Sequence, residues 1–320
     1  MRPLLPALSA LVLAAEAAAW AAGTWGHDDG LLSALGSHVP PGVAIVPPLV
    51  LLAVSALKRA RLSATASLLA LSIGVFPVGG LALHASGEPR GQELTVVTYN
   101  VAKWPHGASA VARVLAARSP DVFCLQEAGS YFWLRKPDEQ PEALEAALPG
   151  YRIVRAGEIM IGTRLPLIEH RAVPLPGFEA RPLLTAVVRA KGGQEISVLA
   201  AHLLYNRAFG ELPGAVHRGA RGRLAQVEVI VEHAAHLPRP VVLCGDLNAS
   251  PRGAAMRLLT RTFDDTWARR GAGFGTTMRD SLIPRRIDHV LVRGLDVVSA
   301  RVLPDDASDH YPFQAVVEAR

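Results

Sequence analysis

The sequence predicts an α/β protein in which two packed sheets flanked by helices follow an N-terminal bundle of three membrane-spanning helices. Three observations predict it. The first ninety residues hold three apolar stretches and very few charges. Beyond them, strand-like and helix-like patterns alternate to the end of the chain. Five polar signatures recur, most at the edge of an apolar strand-like run: TYN at Asn100, LQE at Glu127, GDLN with Asp246 and Asn248, RID at Asp288, and SDH with Asp309 and His310. Half of the 320 residues are hydrophobic, and the length fits one large domain plus a further element.

The apolar stretches are residues 4–23, interrupted only by Glu16, residues 39–57, which contain Pro47 and Pro48, and residues 63–85. Each is close to the roughly 20 residues that cross a bilayer as a helix. Proline is tolerated better in such helices than in soluble ones. Arg2, the apolar core and the mostly small run of residues 17–22 also fit a cleaved signal peptide. Two more apolar segments follow, so cleavage would not release a soluble protein, and the first helix is expected to be retained. Lys58, Arg59 and Arg61 lie between the second and third stretches, whereas residues 23–38 have no Lys or Arg and two aspartates. The positive-inside rule then puts the N-terminus and the Lys58–Arg61 turn in the cytoplasm. The division expected is a membrane anchor over residues 1–87 and a catalytic domain over 88–320, facing the periplasm or the cell exterior.

Charge and cysteine content say less. The net charge of +5 comes mostly from arginine, which suits nucleic acid, an anionic membrane or an ordinary solvated surface alike. Cys124 and Cys244 each sit in an apolar run just before a signature residue. They are expected as small buried core residues, although an exported location permits a disulfide. Neither has metal-ligand spacing to a histidine or a second cysteine, which argues against zinc.

After the turn-like GEPRGQ at 87–92, a strand is expected over 94–100 and a helix over 108–118, with Val111, Val114 and Leu115 on one face. Pro120 stops that helix, and a strand follows at 122–126. A short helix is expected over 142–148, then strands over 151–154, 158–163, 183–189 and 196–202. A long amphipathic helix spans about 219–236, a buried strand 241–247, a helix 254–260, and strands 287–292, 297–303 and 312–318. About ten strands interleaved with surface helices argue for two packed sheets with strands in both orientations.

A strand that ends in a carboxylate or amide delivers that group to one rim of its sheet. Four carboxylates, two amides and a histidine at one rim suit a hard cation and a phosphate, and oxygen ligands of this kind favour Mg²⁺ or Mn²⁺ over zinc. Glu127 follows a very apolar strand, where a lone carboxylate is costly without a cation or an arginine.

Taken in order, TYN, QE, the H-L of LAAHLL, GDLN, RID and SDH resemble the endonuclease/exonuclease/phosphatase superfamily over about residues 92–320. That group includes pancreatic-type deoxyribonucleases, abasic-site endonucleases, inositol-phosphate 5-phosphatases and bacterial sphingomyelinases. The resemblance implies a four-layered α/β/β/α sandwich of DNase-like fold and one or two divalent cations. It implies Glu127 as principal metal ligand with Asn100 beside it and Asp309 near the metal. In it Asp246 and Asn248 match the pair that positions the attacking water and the phosphate. By the same resemblance His310 matches the catalytic histidine, Asp288 the carboxylate that orients it, and His202 a histidine that contacts the phosphate. Glu158 and Gln126 stand behind these groups, Glu158 as the partner of His202. The resemblance leaves open whether Asp246 or His310 is the base. Arg223 is a candidate phosphate contact whose alternative role is packing against a sheet.

The segment after His202 is long and carries Tyr205, Phe209, Arg207, His217, Arg218, Arg221 and Arg223. It is expected near the rim of the site. Three functions compete. The first is a membrane-anchored Mg²⁺- or Mn²⁺-dependent phosphohydrolase whose partner is a membrane lipid: a phospholipid, a sphingolipid or a polyprenyl phosphate. The second is a surface nuclease, and the third a catalytically silent binding domain. Oligomeric state is not legible.

Overall fold

The computed structural model describes residues 4–26, 33, 36–37, 39–129, 139–205, 214–238, 240–279 and 284–319. Helix α1 spans Leu4–Trp25, α2 Pro41–Leu57 and α3 Arg61–Ile73, the last continued by a π-helical turn at Gly74–Val78. Among the described residues, Leu4–Trp25 and Arg61–Val78 are long and apolar enough to cross a membrane; Pro41–Leu57 is apolar but shorter. Small residues let these helices approach: Ser67 Oγ donates to Ser9 Oγ at 3.1 Å, and a Cβ on Gly74 would strike the carbonyl of Ala44. Helix in the third apolar stretch ends at Val78, short of the expected Ala85. Pro77 and the pair Gly79–Gly80, with Gly80 at φ 73°, turn the chain out of the helix. Residues Ala82–Leu83 then form strand β1, which pairs with β11 at Ala272–Gly273.

The remaining strands make two six-stranded sheets. One has the order β13 (Leu295–Val302), β14 (Phe313–Ala319), β2 (Glu93–Asn100), β3 (Val122–Gln126), β5 (Ile159–Thr163), β4 (Arg152–Ala156). The other has the order β10 (Asp264–Asp265), β12 (Asp288–Arg293), β9 (Val241–Asp246), β8 (Glu195–His202), β7 (Leu183–Arg189), β6 (Leu167–Val173). Within each, one central pair is parallel, β2 with β3 and β8 with β9. Those pairs are bridged by crossover helices, α4 (Ala108–Arg118) and α6 (Gly214–Ala235).

Alternation along the strands builds four layers. Val96, Val122, Val198 and Val242 turn inward to one core between the sheets. Val97, Phe123 and Leu125 turn outward onto α4 and α5 (Glu139–Ala147) through Val111, Leu115 and Leu144. Leu199, Ala201 and Leu243 turn onto α6 and α7 (Ala254–Leu259) through Val227, Ile230 and Met256. The result is the expected α/β/β/α sandwich.

Both cysteines are buried as expected, but they are not separate core residues. Cys124 of β3 and Cys244 of β9 are joined in a disulfide between the sheets, with Cα atoms 6.5 Å apart. Each faces the inter-sheet layer at the point where the two sheets come close enough for that geometry. Three further elements differ from expectation. Helix α6 begins at Gly214 rather than near residue 219, the edge strand β6 was not anticipated, and a short helix α8 covers Thr266–Arg270.

Candidate active site

The parallel strands β2, β3, β8 and β9 all end at the same edge, and the antiparallel β12 starts there. Register places Asn100 beside Gln126 on one sheet. On the other it places His202, Asp246 and Asp288 side by side across β8, β9 and β12. The sheets are tied at this rim by Asn100, whose Nδ2 donates 3.0 Å to Asp246 Oδ2. Gly245 is needed beside it because a Cβ there would strike the carbonyl of Ala201 on β8.

Left-handed backbone shapes two of the signatures. Glu127 has φ 54° and Asn248 φ 48°. Asparagine adopts that region readily, glutamate much less so, and strain of this kind clusters at functional sites. The Asn248 backbone N–H donates 2.9 Å to Asp246 Oδ1, and its side-chain amide donates 2.9 Å to the carbonyl of Leu203. Glu127 is half-buried, with Lys103 Nζ 4.0 Å from its Oε2.

Two histidine–carboxylate pairs converge on Asp246. His202 Nδ1 lies 2.5 Å from Glu158 Oε1, and its Nε2 lies 3.5 Å from Asp246 Oδ2. His310 Nδ1 lies 2.7 Å from Asp288 Oδ2, and its Nε2 lies 4.0 Å from the same Asp246 oxygen. Burial alone would lower the pKa of His310, but the charge and hydrogen bond of Asp288, with the charges of Asp246 and Asp309, raise it to about 10. Glu158 is also held by Arg181, whose Nε is 2.7 Å away.

Several contributors were not singled out from sequence. Ser308 Oγ lies 2.7 Å from the carbonyl of Asn100 and accepts from the His310 backbone N–H at 3.2 Å, so it docks the SDH turn onto the end of β2. Thr277 Oγ1 accepts from the Asp288 backbone N–H at 3.2 Å. Arg285 lies near enough for the charge of Asp246 to oppose the lowering of its pKa by burial. Behind the rim, Arg286 grips Asp265 with bonds of 2.8 and 3.1 Å and reaches His289 Nδ1 at 3.1 Å. An arginine only donates, so His289 carries its proton on Nε2 and gives it to the carbonyl of Ala249 at 2.9 Å. That chain fixes the backbone just beyond Asn248. Ser308 and Arg286 had a sequence signal as the first residues of SDH and RID, and Arg285 precedes the latter.

Other candidates stand apart. Arg223 is 1% exposed and its Nη1 donates 2.9 Å to the carbonyl of Leu204, so it holds the segment after His202 from behind. Gln126 is buried, accepting at 3.3 Å from Thr98. Arg207 and Phe209 lie outside the described residues, as does the side chain of His217; Tyr205, Arg218 and Arg221 are exposed.

The donor chemistry fits a hard divalent cation. Among the described residues, Asp246, Asp288 and His310 offer ligand atoms within 4.8 Å of one another. Asp288 Oδ1 is buried with no hydrogen-bond partner among them, and an orphaned carboxylate oxygen calls for an ion or a donor. Glu127 follows Gln126, the register partner of Asn100, and Asp309 precedes His310; neither belongs to that trio.

Residues 97–310 match the model of the Endonuclease/Exonuclease/phosphatase family. No curated protein was found to match the chain. Among solved structures, an endonuclease/exonuclease/phosphatase family protein from Bacteroides thetaiotaomicron is similar at 18% identity and TM-score 0.60, over 72% of this chain and 100% of that one. The mannosyl-6-phosphatase Bt3783 of Bacteroides thetaiotaomicron VPI-5482 matches at 19% identity and TM-score 0.55, over 70% and 99%. TDP2 from D. rerio, complexed with single-strand DNA product, matches at 17% identity and TM-score 0.57, over 71% and 99%. At these identities the likeness is one of fold.

Proposed function

The chain belongs to the Endonuclease/Exonuclease/phosphatase family, and from that footing we propose that it is a membrane-anchored, divalent-cation-dependent phosphoric ester hydrolase. It acts outside the cytoplasm on a lipid-linked phosphate, pyrophosphate or phosphodiester. The observation that carries the reaction class is the pair of buried histidines, each oriented by its own carboxylate, with both Nε2 atoms within 4.0 Å of Asp246.

In this reading Asp246 is the acceptor for the proton of the attacking water, since it is the anion shared by both imidazoles and by the amide of Asn100. His310, with its ring fixed by Asp288, donates to the phosphate or the departing oxygen. His202, fixed by Glu158, binds a second phosphate oxygen. Asn248 adds a neutral donor, one of its amide hydrogens being engaged with Leu203. Glu127, Asn100 and Asp309 hold the cation, which leaves His310 free to carry a proton. Bound there, Mg²⁺ or Mn²⁺ supplies neutralisation of the charge that develops on the phosphoryl oxygens.

The location rests on the apolar helices. With Lys58, Arg59 and Arg61 in the cytoplasm, α3 leads outward to the catalytic domain. The Cys124–Cys244 disulfide suits an oxidising compartment. A tethered domain meets lipid phosphates at high effective concentration.

A nuclease is the second reading, favoured by the exposed Arg218 and Arg221 on α6. The full chain in nanodiscs, given a lipid pyrophosphate, a phosphodiester lipid and plasmid DNA side by side, separates the two. Lipid turnover with intact plasmid supports the hydrolase of lipids; nicking without lipid turnover overturns it.

A further inference from the structure

The catalytic domain does not hang from the helices by a string; it is docked on their ends. Arg257 Nη1 donates 3.0 Å to the carbonyl of Gly23 and its Nη2 reaches that of Gly26. Arg252 Nη2 donates 2.6 Å to the carbonyl of Gly36, and Ser250 Oγ reaches that of Ser37. On the other side β1 pairs with β11, and the His84 N–H donates 3.1 Å to the carbonyl of Gly271. The α1–α2 connection and the exit of α3 thus both hold the same face of the domain.

Between these two ties lies a cavity of about 340 Å³, within the roughly 300–1,000 Å³ range of ligand pockets. One wall comes from the helix ends through Val39, Pro41, Phe76, Pro77 and Leu81. The facing wall comes from the catalytic domain through Trp267, Ala268 and Phe274. These apolar groups sit where the helices leave the level of the hydrocarbon in the orientation proposed above. The ionisable groups of the lining are His84, Arg252, Arg285 and Arg286, with no carboxylate among the described lining residues; Arg286 is paired with Asp265 and Arg252 with the carbonyl of Gly36. The indole N–H of Trp267 is buried without a hydrogen-bond partner among the described residues.

The cavity adjoins the reaction centre. Ser250 and Thr276 line it, two residues from Asn248 and one from Thr277, the residue that holds the Asp288 backbone. Arg285 belongs to both places, lining the cavity and interacting with the charge of Asp246. An apolar slot at the helix ends, lined also by the Arg285 that interacts with Asp246, has the polarity of a single amphiphilic anion: hydrocarbon against the helix ends, phosphate at the arginine.

We propose that this cavity receives the hydrocarbon root of a membrane lipid while Arg285 draws its phosphate to Asp246 and His310, so that substrate enters sideways from the outer leaflet. The proposal rests on the lipid-phosphate reading and makes the helix ends part of the substrate site rather than a tether alone. Loss of the helices then removes half of the binding surface.

The test uses the full chain in nanodiscs and fills the cavity from each wall, with Ala268→Trp on the catalytic side and Val39→Trp on the helical side. Turnover is measured on phosphatidic acid and phosphatidylglycerol, each with two C18 or two C6 chains. We expect the ratio of C18 to C6 turnover to fall at least tenfold in both variants, because the long chain needs the slot and the short one leaves it partly empty. If the wild-type chain turns over lipid and both variants keep its ratio within twofold, the cavity proposal is overturned and the lipid reading stands. If the wild type turns over none of the four lipids and cuts DNA instead, both are overturned.

Discussion

His310 Nδ1 lies 2.7 Å from Asp288 Oδ2, and the other oxygen of Asp288 is buried with no hydrogen-bond partner among the described residues. One carboxylate oxygen therefore orients the imidazole. The pair sits at the start of β12 and just before β14, on different sheets, so the site exists only when the sandwich has closed.

This pair makes the metal-free protein pH-sensitive. The folded pKa of His310, about 10, is raised above the ordinary 6.5. Its protonation therefore stabilises the fold fully below about pH 6.5, and that contribution is lost as the pH rises through about 10. In the absence of divalent cation, the gap in thermal midpoint between wild type and His310→Gln should be widest near pH 6 and narrow toward pH 10. A gap that widens with pH contradicts this charge state.

In the proposed mechanism cation and proton duties fall to two groups of residues, which separate by titration. Glu127→Gln should weaken Mg²⁺ or Mn²⁺ binding, read by calorimetry, at least tenfold. His310→Gln should change it far less while lowering turnover on the order of 10²–10⁴-fold, the range of a lost general acid or base. The reverse pattern would move the cation to the Asp246, Asp288 and His310 trio.

Asp265 and Arg286 form a buried bidentate pair that supports His289 and, through it, the backbone after Asn248. Asp265→Asn leaves the guanidinium buried without its counter-charge. Denaturant unfolding should show a loss of about 3–5 kcal/mol, the range for one partner removed from a buried pair. A loss under 1 kcal/mol would mean that solvent reaches the arginine.

The Cys124–Cys244 bridge closes a separation of 120 residues between the two sheets. Replacing both cysteines by serine should cost about 2–5 kcal/mol in unfolding experiments under oxidising conditions. Mass spectrometry after thiol alkylation should find neither cysteine labelled in the untreated protein; labelling of both would remove the bridge from the account.

The central strands were legible because they are buried on both faces: VVTYN, VFCLQ and VVLCGD are continuous apolar runs ending in polar groups, and helix α4 matches its expected bounds at Ala108 and Arg118. Strand β6 was not, because Glu169, His170 and Arg171 are exposed on an edge strand paired only with β7. Its identity lies in backbone register, which leaves no hydrophobic pattern. The cysteine pairing depends on how two sheets stack, and the roles of Arg181 and Ser308 depend on partners far away in the chain. Sequence showed which groups reach the rim; it could not show that Asp246 stands between two histidines, or that the helix ends wall a cavity beside it.

Cation-dependent hydrolysis of a lipid phosphate is the central proposal, and one measurement addresses it directly. The chain in nanodiscs is assayed for product release from lipid phosphates with Mg²⁺, with Mn²⁺ and with EDTA, beside Asp246→Asn. We expect turnover in either metal, none in EDTA and a loss on the order of 10²-fold or more in the variant. Turnover that persists in EDTA, or in Asp246→Asn at the wild-type rate, would contradict the site described above.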